Sequence, residues 1–176
     1  MKRIEWNNVK ENGSQLPAGG YVCGITSVED VPEKEYLKFE FDVAEGEYKN
    51  YYRALCESKG FWGGSFIKSY KEKALGFFKT MLVCFEKSNK GFSFDCDEKV
   101  FKRKYIGLVL SEEEFVKKTG EVGKRLYVSD FKSVDDIHKG NFKITPLKTL
   151  SGSPAAPSSS SDFEEIVDDD DDLPFA

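Results

Sequence analysis

The sequence predicts a mainly β domain with one helix between its third and fourth strands, followed by a disordered acidic tail. Three observations predict it. Period-two alternation marks residues 21–55 and returns over 105–131;. A helical period interrupts it over 71–87;. Beyond residue 150 the composition turns to Ser, Pro and Asp;.

Tyr21–Val28 (YVCGITSV) follows the turn-like LPAGG and reads as the first strand;. In Glu35–Val43 (EYLKFEFDV), Leu37, Phe39, Phe41 and Val43 alternate with Tyr36, Lys38, Glu40 and Asp42. That is an antiparallel strand with one face buried, joined to the first by EDVPEK. After AEGE, Tyr48–Leu55 (YKNYYRAL) reads as a third strand. Its alternation separates Tyr48, Asn50, Tyr52 and Ala54 from Lys49, Tyr51, Arg53 and Leu55; the charged set is expected outside. From Lys71 to Lys87, Leu75, Phe78, Leu82 and Phe85 recur at helical spacing with Met81 on the same side;. Ser88-Asn89-Lys90-Gly91 is the stop. Tyr105–Leu110 (YIGLVL) is strand-like, with residues 112–116 as an extension. A Gly-marked turn over 117–124 leads into a last strand, Arg125–Phe131;. This β-β-β-α-β-β order fits a five-stranded OB-fold barrel with one helix between strands 3 and 4. A β-grasp or a small sandwich with one helix shares the order.

The 176 residues allow one domain with a core and a tail;. The net charge of −5 averages two unlike parts. Residues 148–176 hold eight acids and one base, net −7, and residues 1–147 hold 23 acids and 25 bases, net +2. A mildly basic body with an acidic tail points to nucleic acid or a charged partner. SGSPAAPSSSS (151–161) has too little apolar surface to offset the entropy of ordering;. The expected division is a domain over 1–147, a flexible Ser/Pro-rich linker over 148–167 and an acidic tip over 168–176. No apolar run is long enough to span a membrane. MKRIEWNNVKENG lacks the apolar stretch of a secretory signal;. A cytoplasmic protein without membrane contact is therefore expected. Cys23, Cys56, Cys84 and Cys96 are widely spaced with no CxxC pair, and His138 is the only histidine. Reduced thiols, no metal and no cofactor are the expectation.

The most unusual stretch of the body is Tyr48–Lys73. It interleaves aromatic and basic side chains, and single-stranded nucleic acid takes this mixture: bases stack on rings and phosphates meet cations. The candidate contacts are Lys49, Tyr51, Arg53, Phe61, Trp62, Lys68, Tyr70 and Lys71. Any one ring here fills the core as readily as it meets a base. Phe61-Trp62 beside Gly63-Gly64 reads as a loop, and Trp6, in a polar arm, as a strap on the barrel. Lys104, within Lys102-Arg103-Lys104, and Lys124, Arg125 and Tyr127 near the last hairpin complete the set. In an OB fold that hairpin borders the oligonucleotide groove. Taken singly, each of these lysines is an ordinary solvated side chain; the case rests on their joint placement. Enzyme signals are weak. His138 has no nucleophile pattern around it, successive glutamates Glu112-Glu113-Glu114 point to opposite faces, and no phosphate-loop motif occurs;.

The last residues, DDDDDLPFA, resemble the C-terminal tip of bacterial and phage single-stranded DNA-binding proteins. That family has an OB body, a low-complexity linker and an end of several Asp before an apolar Pro-Phe. The resemblance implies that Asp170, Asp171, Asp172, Leu173, Pro174 and Phe175 dock on replication and recombination proteins. The apolar residues would enter a pocket and the acids meet its basic rim. Here Ala176 follows Phe175, moving the terminal carboxylate one residue beyond the ring. The body resembles the single-stranded DNA-binding proteins encoded by phages and prophages of Gram-positive bacteria. The resemblance rests on WGGSFIKSYK (62–71), KAL (73–75), EKSN (86–89) and IHKGNFKI (137–144).

The expected function is a nonenzymatic, sequence-nonspecific coat for single-stranded DNA in the bacterial host cytoplasm, recruiting enzymes by its tip. Homo-oligomer formation is left open. The alternatives are an adaptor whose acidic tail meets basic proteins without DNA, and a metal-dependent nuclease or annealing enzyme.

Overall fold

A computed structural model describes residues 2–3 and 15–150. Trp6, the linker from 151 and the tip Asp170–Phe175 lie outside the described residues. Five strands form one antiparallel sheet: β1 (Gly19–Val31), β2 (Tyr36–Val43), β3 (Ser65–Ser69), β4 (Tyr105–Val116) and β5 (Val122–Lys132). Their order is β3-β2-β1-β4-β5. Helix α1 (Tyr51–Lys59) lies between β2 and β3, α2 (Leu75–Ser88) between β3 and β4, and α3 (Val134–His138) follows β5.

The alternation in β2 sets the inner face. Leu37, Phe39, Phe41 and Val43 are buried, and Ile25↔Phe41 and Phe39↔Phe66 register β1 and β3 against them. The core is aromatic: Phe39 stacks on Phe66 at 4.7 Å between centroids and meets Phe101 edge-on at 5.1 Å. Helix α2 closes this face with Phe78, Met81, Cys84 and Phe85. The predicted stripe is thus shifted. Leu75 opens the helix after a 3-10 turn at Glu72–Ala74 and is 49% exposed.

Two corrections concern the barrel. Residues 51–55 of the expected third strand, Tyr48–Leu55, belong instead to helix α1, and the third strand is Ser65–Ser69. Tyrosines favour strands, but Tyr52, Leu55 and Cys56 follow helical spacing, Tyr52 buried and the other two half-buried;. The helix start is fixed from a distance. Asn50 takes φ 62°, and the Asp42 carboxylate on β2 accepts from Tyr52 N–H (2.9 Å) and Arg53 N–H (3.2 Å). These are two of the donors that a helix N-terminus leaves unpaired. Gly60, at φ 78°, ends the helix by donating to Cys56 O;. Secondly, the sheet is open: β3 and β5 are its edges. They approach through side chains, with Phe66 and Phe131 rings 5.3 Å apart and the Lys68 ammonium 4.6 Å from the Phe131 ring.

A strap over residues 133–150 covers one half of the outer face. Ser133 caps α3 by accepting from Asp136 N–H;. A Cβ on Gly107 would lie 2.4 Å from Ile137, and one on Gly20 would lie 2.5 Å from Phe142. β4 therefore needs glycine where the strap crosses, because backbone oxygens of Lys132 and Ser133 also lie within 3 Å, whereas at Gly20 a side chain would displace the Phe142 ring;. Thr145 N–H donates to Ser111 Oγ at 3.0 Å, and Lys148 bridges to β4 by bonds to Glu112 O and from Glu114 N–H. Leu150 N–H reaches Glu114 Oε2 at 3.3 Å. Outward-facing Val22, Val109 and Ser111 are consequently buried.

Candidate nucleic-acid interface

The strap stops short of β2 and β3. Cross-strand register lays out their outer face in rows: Gly24 beside Asp42, Ser27 beside Glu40 and Ser65, Glu29 beside Lys38 and Ile67, Val31 beside Tyr36 and Ser69. Apart from Asp42, which is enclosed by its bonds to α1, these residues are at least partly exposed. The two ends of the face differ in charge. At the β1–β2 turn stand Glu29, Asp30, Glu33 and Glu35, against Lys34 and, opposite Glu29, Lys38. At the Gly24 end stand Arg53 of α1 and, across β1, Lys102, Arg103 and Lys104 leading into Tyr105.

The predicted contacts are dispersed over this frame. Lys49 lies in the turn before α1, and Arg53 lies on the helix; both are exposed. Tyr51 is half-buried and packs edge-on against Tyr48 and Tyr52. Phe61 follows α1 and is 56% exposed. Trp62 beside it is tethered, its indole N–H donating to Gly64 O at 3.0 Å and Phe41 O at 3.2 Å. Lys68 is on the inner side of β3, where its ammonium lies over Phe131 and Phe77. Burial pushes its pKa down, opposed by the nearby Asp130 carboxylate;. Tyr70 donates to Asp30 Oδ1 at 2.9 Å and ties the end of β3 to the β1–β2 turn. Desolvation, then the Asp30 bond, pushes its phenol up to about 12. Lys71 follows it, its backbone N–H held by Ser69 Oγ.

Three other predicted residues belong to the β4–β5 hairpin. Register pairs Lys124 with Glu114, Arg125 with Glu113 and Tyr127 with Ser111. Arg125 Nε donates to Glu113 Oε1 at 2.8 Å, and its guanidinium lies 5.1 Å from the Phe115 ring. Tyr127 is half-buried beside the strap; desolvation and Glu113 raise its pKa, and a hydrogen bond with Thr145 opposes them. Lys104 lines a cleft of about 360 Å³ together with Lys99, Lys102 and Phe92.

Sequence reasoning placed Tyr36 and Lys38 opposite the buried face of β2 but did not include them among the candidate contacts; register puts them on the partly exposed outer face beside Ser69 and Ile67. It also missed Tyr105, 51% exposed at the start of β4. The signal available was a tyrosine directly after Lys102-Arg103-Lys104.

The other chemistries find little geometry here. His138 Nε2 lies 2.7 Å from Glu45 Oε2, a contact that fastens α3 to the turn after β2. Among the described residues, no cluster of three or more His, Cys, Asp or Glu is placed to hold a metal ion. The four cysteines are free. No helix among the described residues is long and apolar enough to cross a membrane. No family model matches the chain, and no curated protein matches it in sequence.

Proposed function

We propose that the chain is a sequence-nonspecific single-stranded DNA-binding protein with an OB-type body, which coats and protects DNA in phage replication or recombination. The observation that carries this reading is the outer face of β2 and β3, partly exposed among the described residues, on a sheet whose other half is strapped. In OB folds, that face and the first and last hairpin loops receive oligonucleotides. The strand order is that of an OB barrel slit between β3 and β5, and the Phe66–Phe131 contact spans the slit. Cations at the Gly24 end and on the last hairpin favour phosphate there, and the acidic β1–β2 turn disfavours it at the other end;. The tip Asp170, Asp171, Asp172, Leu173, Pro174 and Phe175 would recruit replication and recombination proteins, as its resemblance to the family implies.

Anisotropy of labelled oligo-dT, at two salt concentrations and against a duplex of equal length, tests the reading. Tight, salt-weakened binding to dT and weak binding to duplex are expected, and removal of residues 168–176 should leave binding intact or tighter. No binding to dT at low salt overturns the proposal and leaves the acidic-tailed adaptor in its place.

A further inference from the structure

Tyr105 is the last outward-facing residue of β4 before the strap takes over at Gly107. Its ring lies beside Gly24: a Cβ there would be in ordinary van der Waals contact, 3.7 Å from the ring edge. The backbone that presents the ring is clamped on both sides. Towards β1, Ile25 bonds to the preceding Arg103 and Lys104. Away from β1, where β5 has not yet joined, Asn89 replaces the missing strand. Its Oδ1 accepts from Tyr105 N–H at 2.9 Å and its Nδ2 donates to Tyr105 O at 2.7 Å. A fixed, exposed ring loses little entropy when another flat ring stacks on it.

The charge around it is complementary to a polynucleotide. Arg103, held at φ 65°, and Lys102 are exposed immediately before Tyr105. Lys99, Lys102 and Lys104 converge on the cleft of about 360 Å³ that Phe92 also lines. Asn89, which positions Tyr105, is two residues from Gly91 on the cleft wall. On the other side of Gly24, the Asp42 carboxylate is occupied by the backbone N–H groups of Val43, Tyr52 and Arg53, so it faces no incoming phosphate unpaired.

We infer that Tyr105 is a base-stacking residue, and that the bound single strand continues from β2 across the Gly24–Asp42 row to meet it, its phosphates met by Lys102, Arg103 and Lys104. This rests on the single-stranded DNA-binding reading and extends the contact surface beyond β2 and β3. Stacking on an aromatic ring is sequence-tolerant, so the subsite would accept any base.

The test uses the full chain and oligo-dT carrying 5-iododeoxyuridine. Irradiation should cross-link Tyr105, identified by mass spectrometry of the digest. Tyr105→Leu should weaken dT binding roughly 10-fold and Tyr105→Phe should bind like the wild type, with far-UV circular dichroism unchanged in both. Lys102→Gln with Lys104→Gln should lower the slope of log affinity against log salt by about 1 to 2. Wild-type binding with no cross-link at Tyr105 and an unweakened Tyr105→Leu overturns this inference while sparing the parent reading. A wild-type chain that ignores dT overturns both.

Discussion

The two halves of the sheet solve opposite problems. In the half made by the start of β1 and by residues 106–111 of β4, both faces are buried: Cys23, Ile106 and Leu108 against the core, Val22, Val109 and Ser111 under the strap. Gly20 and Gly107 keep the outer surface low enough for Phe142 and Ile137 to settle on it. In the half made by the end of β1, β2 and β3, only the inner face is buried, and the outer face carries Ser27, Lys38, Glu40, Ser65 and Ile67. The first half holds the molecule together, and the second is the half to which the proposed function assigns the DNA. Substitutions should therefore separate. On the outer side, changes in the strapped half cost stability, and changes in the open half cost binding.

The largest effect is expected at Gly107. A Cβ would meet Ile137 at 2.4 Å, Lys132 O at 2.8 Å and Ser133 O at 2.9 Å. Gly107→Ala should lower stability by about 3 kcal/mol in denaturant unfolding, because backbone lies on two sides and cannot yield. A loss below about 0.5 kcal/mol would mean that the strap lifts easily.

Asp42→Ala should cost about 2 kcal/mol. It removes acceptors from three backbone N–H groups, two of them at the start of α1;. Amide exchange over 51–56 should speed up with it.

Alkaline pH reports on the tyrosines at this end of the core. Burial pushes the Tyr21 phenol up to about 12 and raises that of Tyr52 above its ordinary 10. Between those values the unfolded chain has released protons that the folded chain still holds. Stability is therefore full below pH 10 and falls as pH rises through the folded values. Tyr52→Phe should flatten that fall in thermal unfolding followed from pH 9 to pH 12.

Lys38→Ala, in the open half, is expected to change stability by less than about 0.5 kcal/mol. It should weaken dT binding severalfold and reduce its salt dependence.

The strapped and open halves were not equally legible in the sequence. β2 was readable because Leu37, Phe39, Phe41 and Val43 alternate without interruption, and the β4–β5 hairpin because its turn is marked by glycine. Helix α1 was hidden. Its tyrosines imitate a strand, and its cap, Asp42, lies ten residues before Tyr52 on another element. The strap was hidden for a related reason. Its anchors are absences, the missing side chains of Gly20 and Gly107, which acquire meaning only when Phe142 and Ile137 are placed above them. The same limit applied to the candidate site. Composition announces an aromatic and basic stretch, but only register turns Lys68 inward over Phe131 and leaves Tyr105 outside.

The most direct measurement is backbone amide exchange of the full chain with and without saturating oligo-dT. The account predicts new protection over residues 36–40, 65–69 and 103–105, and none over the strap at 133–148. Protection confined to the strap, or no protected segment within the body, would contradict it.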